Sequence, residues 1–258
     1  MARPAAVFFD VDFTLIHPGP RFQASGYHAT CAAHGIEVDP RRFDAAVKAA
    51  APLLDPHDRR YREEVFIHFT RRIIEGMGGA GTRVELAARE IVDDWAEHRH
   101  FQLYDDVPAA LDALRGAGMR VGLISNSHRS LSSFAAHFAL DGLITGGVSS
   151  SEHGYMKPHP RIFQAALDLL DVPAGEAVMV GDSVAHDVAG AHAAGMRAIL
   201  LARGVTPPSV PEGVTVIPTL ADLMDAIRRE EGRERKAEGK GQKADVEGRR
   251  KKEGRKKK

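Results

Sequence analysis

The hydrophobic residues of this chain follow two patterns that alternate along the sequence. Short continuous apolar runs rich in branched residues are typical of strands buried on both faces, and the segments between them carry apolar residues at helical spacing. The strand-like runs lie at 5–10, 120–126, 177–182, 197–202 and 214–217. The helix-like segments lie at 107–117, 129–139, 160–171, 185–195 and 219–229. The alternation predicts an α/β fold, a Rossmann-like parallel sheet with helices on both faces.

The interval between the first two strands is too long for a single crossover. Residues 17–100 contain no convincing strand but four helical segments, at about 20–34, 40–50, 58–75 and 83–98. We therefore predict an inserted all-helical cap domain over residues 17–100, placed above the C-terminal edge of the sheet. Residues 1–16 and 101–227 then form the α/β core domain.

Charge divides the chain at a different point. The 258 residues contain 35 Lys and Arg against 35 Asp and Glu, but residues 228–258 alone hold 15 basic and 7 acidic side chains. Hydrophobic residues nearly vanish there, so the composition predicts a disordered basic tail. Such a tail can bind nucleic acid or an anionic surface weakly through phosphate contacts, although it has no aromatic residue for stacking on bases. A merely solvated extension is the favoured alternative.

Several classes of protein are excluded or disfavoured by composition. At 43% hydrophobic and 27% charged residues the sequence is typical of a globular protein. Its longest apolar runs are far shorter than the roughly 18 residues of a membrane span, and no signal peptide is evident. A single cysteine, Cys31, excludes an intrachain disulfide. We expect a cytoplasmic protein without membrane association, either a monomer or a homodimer.

Polar residues follow three of the predicted strands directly. Asp10 and Asp12 follow the first, Ser125 and Asn126 the second, and Asp182 another. Ligands bind outside the carboxyl ends of parallel strands, so these groups should meet in one crevice. Three carboxylates in a small volume require positive charge, and a cation bound through oxygen, most simply Mg²⁺, supplies it. Lys157 is the candidate cation for an anionic substrate, since Lys48 is the only other lysine before residue 228.

Taken in order, these motifs resemble those of a known family. The sequence Asp10-x-Asp12-x-Thr14, then Ser125, then Lys157, then Gly181-Asp182-Ser183-x-x-x-Asp187 is similar to the four motifs of the haloacid-dehalogenase-like hydrolases. The resemblance covers residues 5–227, and the predicted helical insert matches the branch with a helical cap after the first motif. One departure is Phe13, where the family often has glycine, which affects the local loop and the substrate entrance.

The resemblance implies a role for each motif residue. Asp10 would be the nucleophile that forms an aspartyl-phosphate, and Asp12 the acid and base for the leaving oxygen and the water. Thr14, Ser125, Asn126 and Lys157 would bind phosphate or support the loop around it. The metal residues would be Asp10, the backbone carbonyl of Asp12, Asp182, and Asp187, the last either behind the direct ligands or paired with Lys157.

The expected activity is that of a Mg²⁺-dependent phosphatase acting on a small phosphorylated metabolite. Within the same family, Asp12 disfavours a dehalogenase, but a phosphosugar mutase needs both aspartates and stays open. A nucleic-acid-associated protein that uses the basic tail is the alternative from a different class.

Other features of the insert could have a function, but each also has a simpler structural explanation. The glycine-rich segment 76–81 matches a dinucleotide-binding pattern but follows a predicted helix, so we interpret it as a loop. His17 and His28 are candidate substrate contacts, although solvated or packed histidines are the more common case. Phe22 and Tyr27 are expected in the core of the cap.

Overall fold

The computed structural model describes residues 3–204 and 209–231. The strands are β1 (Ala6–Phe9), β2 (Ile16–Pro18), β3 (Phe101–Leu103), β4 (Arg120–Ser125), β5 (Gly146–Ser149), β6 (Ala177–Gly181), β7 (Arg197–Leu201) and β8 (Thr215–Ile217). The helices are α1 (Ala24–Ala33), α2 (Phe43–Ala50), α3 (Glu63–Gly76), α4 (Val84–Trp95), α5 (Val107–Gly116), α6 (Leu131–His137), α7 (Ser150–His153), α8 (Pro160–Leu170), α9 (Ala189–Ala193) and α10 (223–231). The predicted α/β fold class is confirmed.

Six strands form one parallel sheet in the order β5-β4-β1-β6-β7-β8. The first strand of the chain is therefore central, between β4 and β6. All four residues of β1 and all five of β6 are buried, which explains why their sequences are continuous apolar runs. The carboxyl ends of the three central strands consequently lie side by side.

Alternate side chains of each strand serve two different apolar layers. In β1, Val7 and Phe9 belong to one buried cluster, and Ala6 and Phe8 belong to the other. Side chains of a strand point alternately to opposite faces of a sheet, so the sheet must be covered on both sides. The helix α8 covers one of these faces with apolar residues at helical spacing, namely Ile162, Phe163, Ala166, Leu167 and Leu170.

The insert contains the four predicted helices, α1 to α4. The third begins at Glu63, five residues later than expected, because residues 55–62 form an irregular segment. Gly76 ends α3, and the rest of the glycine-rich segment 76–81 lies in the connection between α3 and α4, as we interpreted it. Buried residues of the insert join the same apolar cluster as one face of the sheet. The limits of the cap domain, 17 and 100, stay a prediction.

Two strands at the base of the insert were not predicted. Ile16–Pro18 pairs with Phe101–Leu103 in an antiparallel ribbon, so the two passages of the chain between sheet and insert are hydrogen-bonded to each other. The edge strand Gly146–Ser149 was missed as well, because two of its four residues are glycines and the usual apolar signature is lacking.

The predicted tail begins inside a helix. Residues 228–231 belong to α10, and the rest of the basic tail lies outside the described residues. In the described part of the chain, no helix has both the length and the apolar character needed to cross a membrane.

Candidate active site

Residues from the carboxyl ends of the central strands meet at one edge of the sheet, as predicted. Asp10 directly follows β1, and its backbone N–H donates to the carbonyl of Val180 in β6 at 2.9 Å. Ser125 ends β4 and Gly181 ends β6, with Asp182 next in sequence. A pocket of about 120 Å³ lies at this edge, lined among others by Asp10, Asp12, Asn126, Lys157 and Asp182.

The centre of the site is a buried lysine held between two buried carboxylates. Nζ of Lys157 donates to Oδ1 of Asp10 at 2.5 Å and to Oδ1 of Asp187 at 2.7 Å. Burial disfavours the ammonium, but the charges of Asp10 and Asp187 outweigh it, and the pKa of Lys157 is raised. Lys157 is therefore a permanent cation, and Asp187 is paired with it.

Asp187 is positioned by a close contact with the end of β6. It lies in a π-helical turn, Val184–Val188, and its Oδ2 accepts from the backbone N–H of Ser183 at 3.0 Å. A Cβ placed on Gly181 would lie only 2.2 Å from that same Oδ2. Glycine at this strand end is what lets the carboxylate reach Lys157.

The site contains more negative than positive side chains. Carboxylate oxygens of Asp10, Asp182 and Asp187 lie within 4.8 Å of one another. Burial raises the pKa of Asp10 well above its usual value, Lys157 opposes this, and the neighbouring carboxylates reinforce it. Partial burial by the surrounding protein raises the pKa of Asp182 to about 6, and the charge of Asp187 adds to this effect. The residue is nevertheless exposed to solvent on one side.

This arrangement fits a divalent metal ion. Lys157 is already engaged by two carboxylates, so it cannot neutralise the third. Burial raises the pKa values of Asp10 and Asp182, and repulsion between the neighbouring carboxylates adds to this effect. An oxygen-only donor set with one member at the solvent edge suits Mg²⁺, which keeps several of its waters. Among the described residues this is the one cluster of acidic, His or Cys side chains arranged to hold a metal.

The loop after β1 brings Asp12 and Thr14 back towards the sheet edge. Phe13 adopts a left-handed backbone, with φ at 64°, and its N–H donates to the carbonyl of Ile16 at 2.6 Å. This conformation explains the family's preference for glycine there. The phenyl ring is 47% exposed, so Phe13 contributes an aromatic side chain at the entrance.

Two buried hydroxyl groups of the predicted phosphate site have no protein partner. Oγ1 of Thr14 and Oγ of Ser125 are buried, and among the described residues neither makes a hydrogen bond. Buried polar groups are nearly always paired, so these two hydroxyls still have hydrogen-bonding capacity to offer. The arrangement is compatible with binding of phosphoryl oxygens.

The side chain of Asn126 has a role that the sequence did not indicate. Its Oδ1 accepts from the backbone N–H of Lys157 at 2.6 Å, and its Nδ2 donates to the Lys157 carbonyl at 3.1 Å. The amide thus fixes the loop that carries the central cation, while the predicted phosphate contact concerns its backbone.

A buried arginine, Arg129, lies beside Asp12 and is not among the predicted site residues. Nη2 of Arg129 donates to both carboxylate oxygens of Asp12 at 2.7 Å, and its guanidinium lies 4.1 Å from the ring centroid of Phe101. The predicted helix 129–139 in fact begins at Leu131, which leaves Arg129 in the preceding loop. Its only sequence signal is its position four residues after Ser125.

The other candidates of the insert lie away from the catalytic pocket. His17 stacks against Tyr104, and His28 is exposed on the outer side of α1. Phe22 packs on Trp95 in the core, as expected. Tyr27 is buried but also lines a cavity beneath the insert, so it is more than a packing residue.

Comparison with known proteins identifies the class. The pattern of the haloacid dehalogenase-like hydrolases matches residues 4–195, and the chain belongs to this family. Its fold is similar to that of a HAD-hydrolase of Bacillus subtilis bound to magnesium, with a TM-score of 0.66 at 18% identity, covering 88% of this chain and 99% of that one.

Two named phosphatases are similar to this chain in sequence. A phosphoserine phosphatase of Thermus thermophilus is 37% identical over 155 residues, which is 57% of either chain. An N-acylneuraminate-9-phosphatase of Rattus norvegicus is 30% identical over 215 residues, 77% of this chain and 82% of that one. The predicted enzyme class, a phosphatase-type hydrolase of this family, agrees with these names.

Proposed function

We propose that this protein is a Mg²⁺-dependent phosphatase that hydrolyses a small phosphorylated metabolite through an aspartyl-phosphate intermediate. The observation that carries the proposal is the buried Asp10–Lys157–Asp187 ion-pair system beside the exposed Asp182. A nucleophilic carboxylate, a fixed cation and an incomplete set of oxygen ligands are the parts that phosphoryl transfer requires.

In the first step Asp10 attacks phosphorus. One carboxylate oxygen forms a bond to phosphorus while the bond to the leaving oxygen breaks, and the carboxyl group of Asp12 gives its proton to that oxygen. Asp12 must exchange Arg129 for the leaving oxygen to do so, because both its oxygens accept from the guanidinium. Lys157 and the free hydroxyls of Thr14 and Ser125 hold the phosphoryl oxygens.

The second step restores the enzyme. Water attacks phosphorus, Asp12 accepts the proton, and the bond between phosphorus and Asp10 breaks to release inorganic phosphate. Asp10, Asp182 and the backbone carbonyl of Asp12 would hold Mg²⁺, which would supply Lewis-acid stabilisation of the charge on the transferring group. Asp187 keeps Lys157 in place throughout.

The proposal is tested by phosphate release from a panel of phosphomonoesters, with Mg²⁺ or with EDTA. Asp10→Asn should abolish release, and Asp182→Asn should raise the Mg²⁺ concentration needed for half-maximal activity. Asp141→Asn, a change of the same kind at an exposed position, is the control. Mg²⁺-independent release, or full activity of Asp10→Asn, contradicts the proposal, and isomerisation of a sugar phosphate without net release favours the mutase.

The predicted weak binding of nucleic acid or of an anionic surface concerns residues outside the described part of the chain. It stays a prediction, tested by salt-sensitive binding that is lost when residues 232–258 are deleted.

A further inference from the structure

A second cavity lies next to the catalytic pocket, between the loop after β1 and the helical insert. It has a volume of about 180 Å³, and it shares Asp12 and Asn126 with the catalytic pocket. Because Asp12 faces the leaving oxygen in the proposed reaction, a group bonded to that oxygen extends into this cavity. This orientation would place the non-phosphate part of the substrate in the cavity.

The walls of this cavity are mainly apolar. The apolar side chains come from α3, α4 and the segments before them, and they include Leu54, Phe66, Phe69, Ile91, Val92 and Trp95. Phe13 closes the side towards the catalytic loop. Apolar cavities of about 150 Å³ accept a benzene-sized molecule, so this one has room for an aromatic ring or a branched alkyl group.

The few polar side chains in the walls are already engaged. Asn126 holds both backbone groups of Lys157, and Nε2 of His128 contacts the carbonyl of Val92 at 3.0 Å. Tyr27 is hydrogen-bonded to Thr70. Little hydrogen-bonding capacity is thus left for a sugar or another polyhydroxylated group, which would have to lose its water without compensation.

The charge of the cavity walls also disfavours a substrate group with a negative charge. Among the described residues, neither Lys nor Arg lines the cavity, and the one basic side chain in its walls is His128, whose pKa is lowered, first by burial. Asp12 adds a carboxylate at the junction. A substrate with its own carboxylate, such as phosphoserine, would bring a second anion next to walls whose nearest cation, Arg129, is already paired with Asp12.

We infer that the leaving group of the natural substrate is uncharged and mainly apolar, with the size of an aromatic ring or a short branched chain. This inference rests on the proposed phosphatase function and specifies its substrate class. It separates this protein from the two relatives whose names point to carboxylated substrates.

The test compares esters whose leaving groups are all primary alcohols, so that differences in leaving-group chemistry stay small. Benzyl phosphate should exceed phosphoserine, glycerol 3-phosphate and glucose 6-phosphate in kcat/KM by at least about 100-fold, because differential burial of a single apolar group already gives about 10- to 200-fold. Acetyl phosphate, which barely enters the cavity, measures the catalytic pocket alone.

A charge introduced at the cavity sharpens the test. Leu54 lies half-buried in the turn before α3, so Leu54→Arg places a cation at the wall without replacing a core residue. The ratio of benzyl phosphate to phosphoserine activity should fall by about tenfold. Leu86→Arg, on the exposed side of α4, is the matched control and should leave the ratio unchanged.

The outcomes distinguish the two proposals. If no ester and no acetyl phosphate is hydrolysed in an Asp10-dependent way, the phosphatase function fails and the substrate class with it. If hydrolysis depends on Asp10 but phosphoserine or a sugar phosphate equals benzyl phosphate, only the substrate class is overturned. A folded Leu54→Arg protein with an unchanged ratio also contradicts the cavity assignment.

Discussion

The two halves of the cleft differ sharply in the way they are built. On the side of the sheet, Asp10, Lys157 and Asp187 are buried charges, each held by a partner that is itself positioned by the backbone. On the side of the insert, the walls are apolar rings and branched chains, and their polar groups are occupied. In the proposed reaction, the charges at the strand ends carry out the chemistry, and the apolar surface contributed by several helices selects the substrate.

Removing the central cation should have the largest effect. Lys157→Met keeps much of the shape of the side chain but leaves Asp10 and Asp187 buried without a counter-ion. Breaking a buried pair in this way costs about 3–5 kcal/mol of stability, and the loss of charge stabilisation should lower kcat by roughly 1,000-fold or more. Urea unfolding and phosphate release measure the two effects.

Lys48→Met is the control for that substitution, since Lys48 is exposed on α2 and has no part in the site. A Lys157→Met protein that keeps wild-type stability would show that the two carboxylates tolerate burial without their cation. The buried charges on the sheet side of the cleft would then not depend on neutralising one another.

A smaller change at the end of β6 should disturb the same charges indirectly. Gly181→Ala adds a methyl group that would lie 2.2 Å from Oδ2 of Asp187, so the carboxylate must move away from Lys157. We expect about 1–3 kcal/mol of destabilisation and roughly a 10- to 100-fold loss of kcat, because displacements near 1 Å have effects of this size. Gly175→Ala, with open space around its Cβ, should be nearly neutral. Equal behaviour of both variants would contradict the close-contact argument.

Arg129 connects the two halves, because it holds Asp12 at their junction. As a positioning residue for Asp12, it should matter most where the leaving group needs a proton. Arg129→Met should lower kcat for benzyl phosphate by about tenfold or more, yet affect p-nitrophenyl phosphate much less, since nitrophenolate leaves without protonation.

A general loss of structure would instead lower both activities together, so the ratio of the two substrates separates positioning from folding. Arg129→Lys, which keeps the charge, should recover part of the benzyl phosphate activity. Equal losses for the two esters would assign Arg129 to stability alone.

The difference between the two halves also explains what the sequence could predict. Asp10, Ser125 and Asp182 follow apolar runs directly, and the topology of a parallel sheet brings strand ends together whatever the details of packing. Lys157 could be proposed because lysine is rare in the body of this chain. These predictions need only local pattern and sheet topology.

Arg129 and the cavity could not be predicted in the same way. Arginine is almost never fully buried unless it is paired, and its partner Asp12 is 117 residues away in sequence. The cavity depends on how side chains of α1, α3 and α4 pack above the sheet, which helical periodicity does not determine. The glycine-rich strand β5 was missed for a simpler reason, the absence of an apolar signature.

The smallest expected effect is the pH dependence of the stabilisation by Mg²⁺, which arises from the cluster of Asp10, Asp182 and Asp187. The pKa of Asp182 is raised to about 6, and that of Asp10 is raised as well. A carboxyl group whose pKa is higher in the folded than in the unfolded state destabilises the fold above the folded pKa, and this contribution disappears as the pH falls from about 6 towards 4. At a fixed Mg²⁺ concentration, set to 100 times its Kd at pH 7.5, Mg²⁺ should therefore raise Tm by roughly 5–11 °C at pH 7.5 and by less at pH 5. Calorimetry with Mg²⁺ or EDTA measures this shift, which should vanish in Asp182→Asn but persist in Asp141→Asn. A shift of the same size at both pH values would mean that the repulsion among these carboxylates does not control metal binding.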